Sequence, residues 1–436
     1  MMDDRLVYKN LSINDKGHLT FAGLDVVDLA KGYGTPAYLL DEDVIIENCK
    51  TYKSAMEKYF GEGSRPLFAS KALSFTGIYR IMEELDMCID IVSPGELYTA
   101  VKAGFDMSKA FFHGSNKTDA DIKLGLDEVV GYFIVDNVFE LDELDRQCAQ
   151  RGIKQKILLR ITPGIDPHTH EKINTGKVDS KFGAPIETGE AENLLKFALD
   201  KKNIEVCGFH CHVGSQVFEI DPFSDAARIM LVYIAEMKEK TGYEAEYLNL
   251  GGGFGVKYTS SDPQIDYAER IEKLSIEIKQ HCKDLNISQP KILMEPGRSI
   301  VGAAGLTIYE VGATKKIEGF KNYASIDGGM TDNIRFSLYG SPYTCVLANK
   351  MNEVADFKCT IAGRCCESGD LIQEDVIIPE PTRGDIIAVM TTGAYNYSMA
   401  SNYNRIPRPP IISIRDGIAR VSVRRETYED LCSLDV

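Results

Sequence analysis

The chain has 436 residues, with 65 acidic against 49 basic side chains and a formal net charge of -16. That length is more than one ordinary core accommodates and predicts two domains. The acidic balance argues against a nucleic-acid or anionic-membrane surface, which needs a basic patch, but a small charged substrate stays open because a local site can oppose the global sign.

Met1-Met2-Asp3-Asp4-Arg5 has neither a basic start nor an apolar segment, so no secretory signal is expected. No window reaches the roughly 18 consecutive apolar residues of a bilayer span, and a cytoplasmic location is expected. The 11 cysteines are odd in number and lack a repeated spacing, as free thiols would. Cys207, His210, Cys211 and His212 cluster, but nothing completes a paired zinc-ligand set, so no metal is expected.

In chain order, residues 1–34 read as small strands and loops, closed by the breaker Gly32-Tyr33-Gly34-Thr35-Pro36. A strand over 37–40 and a helical spacing over 41–59 follow. Eight short apolar runs then appear, at 67–70, 88–93, 110–113, 132–135, 156–162, 206–212, 247–250 and 291–295. Amphipathic stretches at 75–85, 95–103, 119–126, 138–151, 190–201, 225–240 and 267–284 separate them as predicted helices. This α/β alternation predicts a closed (β/α)8 barrel over 36–297. An open doubly wound sheet is the alternative, although it usually has fewer strands and often a G-x-G-x-x-G turn, which is missing. Runs at 306–313, 323–326, 357–362, 386–391, 411–415 and 418–423 are β-rich with few long helical patterns. They predict a C-terminal all-β domain over 298–436, which residues 1–35 join.

The ends of the eight runs are polar: Lys71, Ser93, His113, Asp136, Arg160, His210 with His212, Asn249, and Glu295 with Arg298. Barrel enzymes build their sites at that end of the strands, so the pattern points to an enzyme with one central site. Lys71, after the run Leu67-Phe68-Ala69-Ser70, reads either as a surface charge or as a covalent anchor. Gly251-Gly252-Gly253-Phe254-Gly255 follows the seventh run and would let backbone N–H groups approach a phosphate; a tight turn without ligand is the other reading. His210 and His212 are assigned to opposite faces of their strand, leaving one for the barrel mouth, while Ser215 is a phosphate donor after the Gly214 turn. Glu295 suits a protonated ring nitrogen and Arg298 a carboxylate, unless the two pair with each other. Taken together, a lysine, a phosphate cradle, a histidine and a carboxylate match the needs of pyridoxal 5'-phosphate.

The sequence resembles the diaminopimelate decarboxylase family, of the alanine-racemase-like class of pyridoxal-phosphate enzymes. The resemblance runs from Tyr33-Gly34-Thr35-Pro36 to Asn404. It is carried by Ala69-Ser70-Lys71-Ala72, His113-Gly114-Ser115-Asn116-Lys117, residues 175–183, the 210–216 and 251–255 motifs, Glu295-Pro296-Gly297-Arg298, Cys366-Glu367-Ser368-Gly369-Asp370 and residues 393–401. It implies that Lys71 binds the cofactor covalently, that His212 stacks on its ring and that Glu295 holds its ring nitrogen. It further implies that Ser215, Gly252, Gly253, Gly297, Arg298 and Tyr395 surround the phosphate. Arg298, Arg335, Tyr339, Glu367 and Tyr395 are the implied substrate residues. Cys366 is the implied proton donor to the α-carbon, and it would reach with Glu367 across a homodimer interface into a shared site.

The implied reaction, the last step of lysine biosynthesis, is decarboxylation of meso-2,6-diaminopimelate to L-lysine. Two arginines and Glu367 answer the carboxylate and ammonium at the substrate's far end. A thiol suits the proton donor, with a reference pKa near ~8.5; the other reading of Cys366 is a small buried hydrophobe, and Cys365 stands beside it. Gly363-Arg364-Cys365 and Ala72-Leu73-Ser74 depart from the family pattern and leave a related D-amino acid open. A sister decarboxylase of ornithine, arginine, D-lysine or carboxynorspermidine and a non-enzymatic pyridoxal-phosphate barrel are the competing readings.

Overall fold

The eight apolar runs form eight parallel strands in the computed structural model, which describes residues 5–164 and 181–436. They are Arg65–Ala69, Cys88–Ile91, Ala110–Phe112, Tyr132–Val135, Gln155–Thr162, Ile204–His210, Tyr247–Asn249 and Lys291–Met294. Each pairs with the next, and the eighth pairs with the first through Leu293 and Arg65, so the sheet closes and has no free edge. The helices between them start and stop where local chemistry dictates. Ser93 caps Pro94–Ala103 by accepting from the Glu96 N–H, Thr118 forms a capping box before Asp119–Asp127, and Asn137 caps Val138–Arg151, which ends on left-handed Gly152.

The barrel interior is layered. Leu67, Cys88, Phe111, Ile134, Leu158, Cys207, Tyr247 and Leu293, one from each strand, form a buried apolar ring. Side chains alternate along a strand, so the residue two places further on faces the same interior. Those residues are Ala69, Asp90, His113, Asp136, Arg160, Asn249 and Glu295. The sixth strand joins the layer differently. Its register slips between Val206 and Gly208, and His210 then aligns with Arg160 on one side and Asn249 on the other. A polar layer therefore lies directly above an apolar one.

A second unit is built on a mixed sheet ordered Leu371–Ile378, Phe357–Ala362, Asn322–Ile326, Gly305–Lys316, Ala37–Asp41, Ile411–Arg415 and Ile418–Val423. Ile386–Met390 pairs with Gly305–Lys316 and carries Cys345–Leu347. Two apolar clusters fill this unit, one around Leu39, Leu306 and Ile412, the other around Tyr309, Ile361 and Val389. The strands Cys345–Leu347 and Leu371–Ile378 and the helix Val26–Tyr33, capped by Asp25, are additions to the sequence reading.

The division of the chain also differs from expectation. One unit comprises Asn48–Gly255 and Ile265–Gly297; the other comprises Met1–Glu47, Val256–Gln264 and Arg298–Val436. The expected barrel start at residue 36 is thus too early. Ala37–Asp41 is buried throughout and is paired on both edges within the second sheet, antiparallel to Gly305–Lys316 and parallel to Ile411–Arg415. Residues 175–180 of the sequence motif, and most of the loop expected to close over 163–181, lie outside the described residues. Among the described residues, no helix is long and apolar enough to cross a membrane.

Candidate active site

Lys71 sits in the single turn Ser70–Ala72 that follows the first barrel strand. The loop after the eighth strand packs on this turn. Ala69 donates its N–H to the Pro296 carbonyl at 3.2 Å, and a side chain at Gly297 would meet the Ala69 and Ala72 methyls at 3.0 and 3.1 Å. The close approach favours glycine there and brings Lys71 beside the loop that follows Glu295.

Glu295 is the centre of the polar layer. Its Oε1 accepts from Asn249 Nδ2 at 2.7 Å and lies 3.1 Å from His113 Nε2 and 3.2 Å from His210 Nε2. Burial opposes ionisation of this carboxyl, but the two imidazoles outweigh it and hold Glu295 well below the usual carboxylate range. Burial drives His210 the other way, down to about 4, so at neutral pH it is an uncharged imidazole. Asp90, 3.7 Å from His113, is pushed up by burial against the pull of His113. Glu96, on the helix after the second strand, is raised to about 7, chiefly by desolvation.

His212 follows the sixth strand and is half-buried. Its Nδ1 accepts from the Gly252 N–H at 3.2 Å, and desolvation, helped by the Lys71 ammonium, holds it well below its ordinary value. The assignment of His210 and His212 to opposite faces is therefore corrected. Residues two apart share a face, and both enter the barrel site, His210 on Glu295 and His212 on the glycine loop.

The loop after His212 is zipped to that glycine loop: Val217 N–H donates to the Gly253 carbonyl and Gly255 N–H to the Val217 carbonyl, both at 2.9 Å. This places Ser215 and Gly253 on paired segments. A Cβ at Gly252 would stand 2.0 Å from the Glu295 carbonyl, and one at Gly253, where φ is +129°, would stand 2.4 Å from the Gly214 carbonyl. Close packing of strand tips thus demands these glycines, whatever else their N–H groups bind.

The barrel site has unmet polar chemistry that a polar ligand would answer. Among the described residues, Ser70 Oγ, Asp90 Oδ1, His113 Nε2 and both His210 ring nitrogens are buried without an aligned hydrogen-bond partner. Such groups are costly unless a ligand meets them. His113, His210 and Glu295 also bring one ligand atom each within 4.8 Å of one another, a spacing that a small cation would share. The Cys207–His212 cluster considered from sequence contributes only His210 to that triad.

The second unit holds a cluster of different chemistry. Arg298 and Arg335 are both buried. Arg298 Nη1 donates to the Tyr258 hydroxyl at 2.5 Å, and the Arg298 guanidinium lies 4.7 Å from the Tyr395 ring. The Arg335 guanidinium lies 5.3, 5.6 and 5.9 Å from the rings of Tyr339, Tyr395 and Tyr258. Arg335 Nη2 reaches Ser341 Oγ at 3.3 Å, while its Nε has no hydrogen-bond partner and the group has no carboxylate in ion-pair range among the described residues. Arg298, Arg335, Tyr339 and Tyr395, all expected from sequence, are thus brought together, and Tyr258 is an addition to them.

Cys366 and Glu367 lie on the exposed turn between Phe357–Ala362 and Leu371–Ile378. Asp370 shapes this turn by accepting from the Cys365 N–H at 2.7 Å and the Met330 N–H at 2.5 Å. Neither Cys366 nor Glu367 is hydrogen-bonded or ion-paired to the arginine–tyrosine cluster among the described residues. Cys366 is exposed, which removes its reading as a buried hydrophobe. Cys365 is partly buried, and burial together with the Asp370 carboxylate pushes its thiol up to about 12.

The family model described as "Pyridoxal-dependent decarboxylase, pyridoxal binding domain" matches residues 42–302. The chain is similar to a diaminopimelate decarboxylase of Bacillus methanolicus, at 44% identity over 95% of this chain and 96% of that one. It is similar to a diaminopimelate decarboxylase of Bacillus subtilis (strain 168) at 42% identity, over 97% of this chain and 96% of that one. In structure it is similar to a diaminopimelate decarboxylase of M. jannaschii solved with L-lysine, with a TM-score of 0.90, 33% identity and 98% of each chain covered.

Proposed function

Because the chain belongs to the diaminopimelate decarboxylase family of pyridoxal-dependent decarboxylases, we propose that it decarboxylates meso-2,6-diaminopimelate to L-lysine with pyridoxal 5'-phosphate as cofactor. When bound, the cofactor supplies a protonated ring that accepts the electron pair left as carbon dioxide departs. The chain's own residues do the rest. Lys71 would supply the amine that anchors the cofactor and would displace the product's amine at the end of turnover. Glu295, kept ionised in a buried layer, holds a proton on the ring nitrogen, and His212 faces the ring. Ser215 and the backbone of Gly252, Gly253 and Gly297 take the phosphate, with Arg298 and Tyr395 as further partners.

For the substrate we assign Arg298, Arg335, Tyr339 and Tyr395 to a carboxylate and Glu367 to an ammonium. Cys366 delivers the proton to the α-carbon, and its exposure with Glu367 fits residues that serve a partner subunit in a homodimer with shared sites. Cys365, with its thiol pushed up to about 12, is the poorer donor of the two. All 11 cysteines are free, which supports a cytoplasmic location.

The observation that carries the substrate assignment is Arg335. A guanidinium buried without a carboxylate among the described residues is expensive unless a ligand provides one. A diamine precursor with a single carboxylate has none to spare for it. Carbon dioxide release from a panel of meso-diaminopimelate, D-lysine, ornithine, arginine and carboxynorspermidine, with added pyridoxal phosphate, tests the reading. Meso-diaminopimelate is expected to react fastest; if it is inert while ornithine reacts, the substrate assignment falls. Lys71→Ala is expected to abolish both turnover and the protein-bound cofactor's visible absorbance.

A further inference from the structure

Tyr258 has no part in the roles assigned above, yet it stands at the centre of the arginine cluster. It lies on Val256–Gln264, the short segment that the chain contributes to the second unit before Ile265 resumes the barrel. That segment is firmly held. Tyr8 Oη and Thr391 Oγ1 donate to the Lys257 carbonyl at 2.7 and 3.2 Å, and Thr344 Oγ1 donates to the Tyr258 carbonyl at 2.8 Å. The Tyr258 ring is buried and meets Tyr343 edge-on at 5.5 Å. Such fixation is more than a solvent loop needs.

The phenol is the informative group. Its oxygen accepts from Arg298 Nη1 at 2.5 Å, and its ring centre is 5.8 Å from the Arg298 guanidinium and 5.9 Å from that of Arg335. Having accepted from Arg298, the hydroxyl still carries a proton, and that proton has no acceptor among the described residues. A hydroxyl so placed fixes one guanidinium and offers one further donor to whatever anion the two arginines bind.

We propose that Tyr258 is a positioning and specificity residue for the substrate carboxylate: neutral, it holds Arg298 in register with Arg335 and donates its own proton to the bound carboxylate. The inference rests on the assignment of the arginine cluster to a carboxylate and adds to it a residue and a pH dependence. Burial opposes ionisation of the phenol, but the two guanidiniums outweigh it and hold Tyr258 below its ordinary value. The charged or titratable groups around it are Arg298, Arg335, the Tyr343 phenol and, on its own segment, Asp262. Once ionised, Tyr258 loses its donor and pairs with the arginines in place of the ligand. Alkali therefore weakens carboxylate binding through this residue.

The test is calorimetric titration of the cofactor-loaded enzyme with pimelate, a seven-carbon dicarboxylate that has no amine, cannot react and does not titrate above neutrality. Wild type is expected to bind pimelate at pH 7.5 and to lose affinity as the pH rises toward the ordinary phenol value of about 10. Tyr258→Phe, which keeps the ring packing, is expected to bind about ten-fold more weakly at pH 7.5, the loss of one charge-assisted hydrogen bond, and to show a flat profile above it. Equal affinity in the two proteins, an unchanged profile in the variant, or no pimelate binding by wild type overturns the proposal. Melting temperature and visible absorbance establish that the variant is folded and loaded. If it is not, a flat wild-type profile overturns the proposal and a falling one supports it. Turnover of meso-diaminopimelate by wild type decides the substrate assignment separately, because pimelate binding does not depend on it.

Discussion

The barrel and the second unit each hold a buried polar cluster, and the two are opposites. In the barrel, Glu295 and Asp90 are set among imidazoles, and ionised Glu295 suits a positive partner. In the second unit, two guanidiniums are set among phenols, and the surplus is positive. The barrel carboxyls and imidazoles shift in different directions under one burial: His210 and Glu295 are lowered, while Asp90 and Glu96 are raised. Guanidiniums stay charged throughout the working range, so the second cluster changes charge only through its tyrosines. One cluster is thus tuned by protonation near and below neutrality, and the other responds only to alkali.

Three experiments probe this contrast, beginning with the largest effect. Glu295→Gln keeps the shape and removes the charge; kcat is expected to fall by roughly a hundred-fold or more, with some loss of melting temperature at neutral pH because the ionised carboxyl stabilises the fold there. A loss confined to KM would remove Glu295 from the ring-nitrogen role. Arg335→Met is expected to act mainly through KM for meso-diaminopimelate, by about ten- to a hundred-fold, as loss of a charged hydrogen-bonding partner implies. A matching loss for a monocarboxylic substrate would mean that Arg335 does not read the second carboxylate.

The smallest effect is on stability against pH. His210 is lowered to about 4 when folded, so between its ordinary value and that one the unfolded chain binds more protons and stability falls on acidification. The slope is about 1.4 kcal/mol per pH unit for each such group. Glu295 is also lowered, so its contribution is present above the ordinary carboxylate range and is lost as pH falls through the folded value. Asp90, which is raised, works in the opposite sense. Denaturant melts of wild type and His210→Asn from pH 7 to pH 4.5 isolate the histidine; parallel curves would show that it does not titrate as its burial implies.

Much of this was legible in the sequence. Apolar runs of strand length alternated with helical spacing, and all eight runs are barrel strands because a parallel strand covered on both faces must be apolar along its length. Lys71, His113, Glu295 and the glycine run were visible as polar or flexible exceptions at the run ends. Asp90 was not singled out, although an acid inside Cys88-Ile89-Asp90-Ile91 was the available signal. Tyr258 gave no signal, since a tyrosine in a loop looks the same whether it is exposed or buried within about 6 Å of two guanidiniums.

Periodicity alone determined the eight alternating strands and helices and the order of their polar tips, because both depend on interactions local along the chain; closure of the sheet, through Leu293 and Arg65, did not. Tertiary structure decided what no local pattern carries. Strand 37–41 resembles a barrel strand, but its hydrogen-bond partners lie in the second sheet, hundreds of residues away along the chain for Gly305–Lys316 and Ile411–Arg415. The slip between Val206 and Gly208 is a property of pairing, and it sets His210 level with Arg160 and Asn249. The charge states of Glu295, His210 and Tyr258 come from burial and from neighbours brought close only by the fold. These are sums over distant residues, and a sequence read in windows cannot form them.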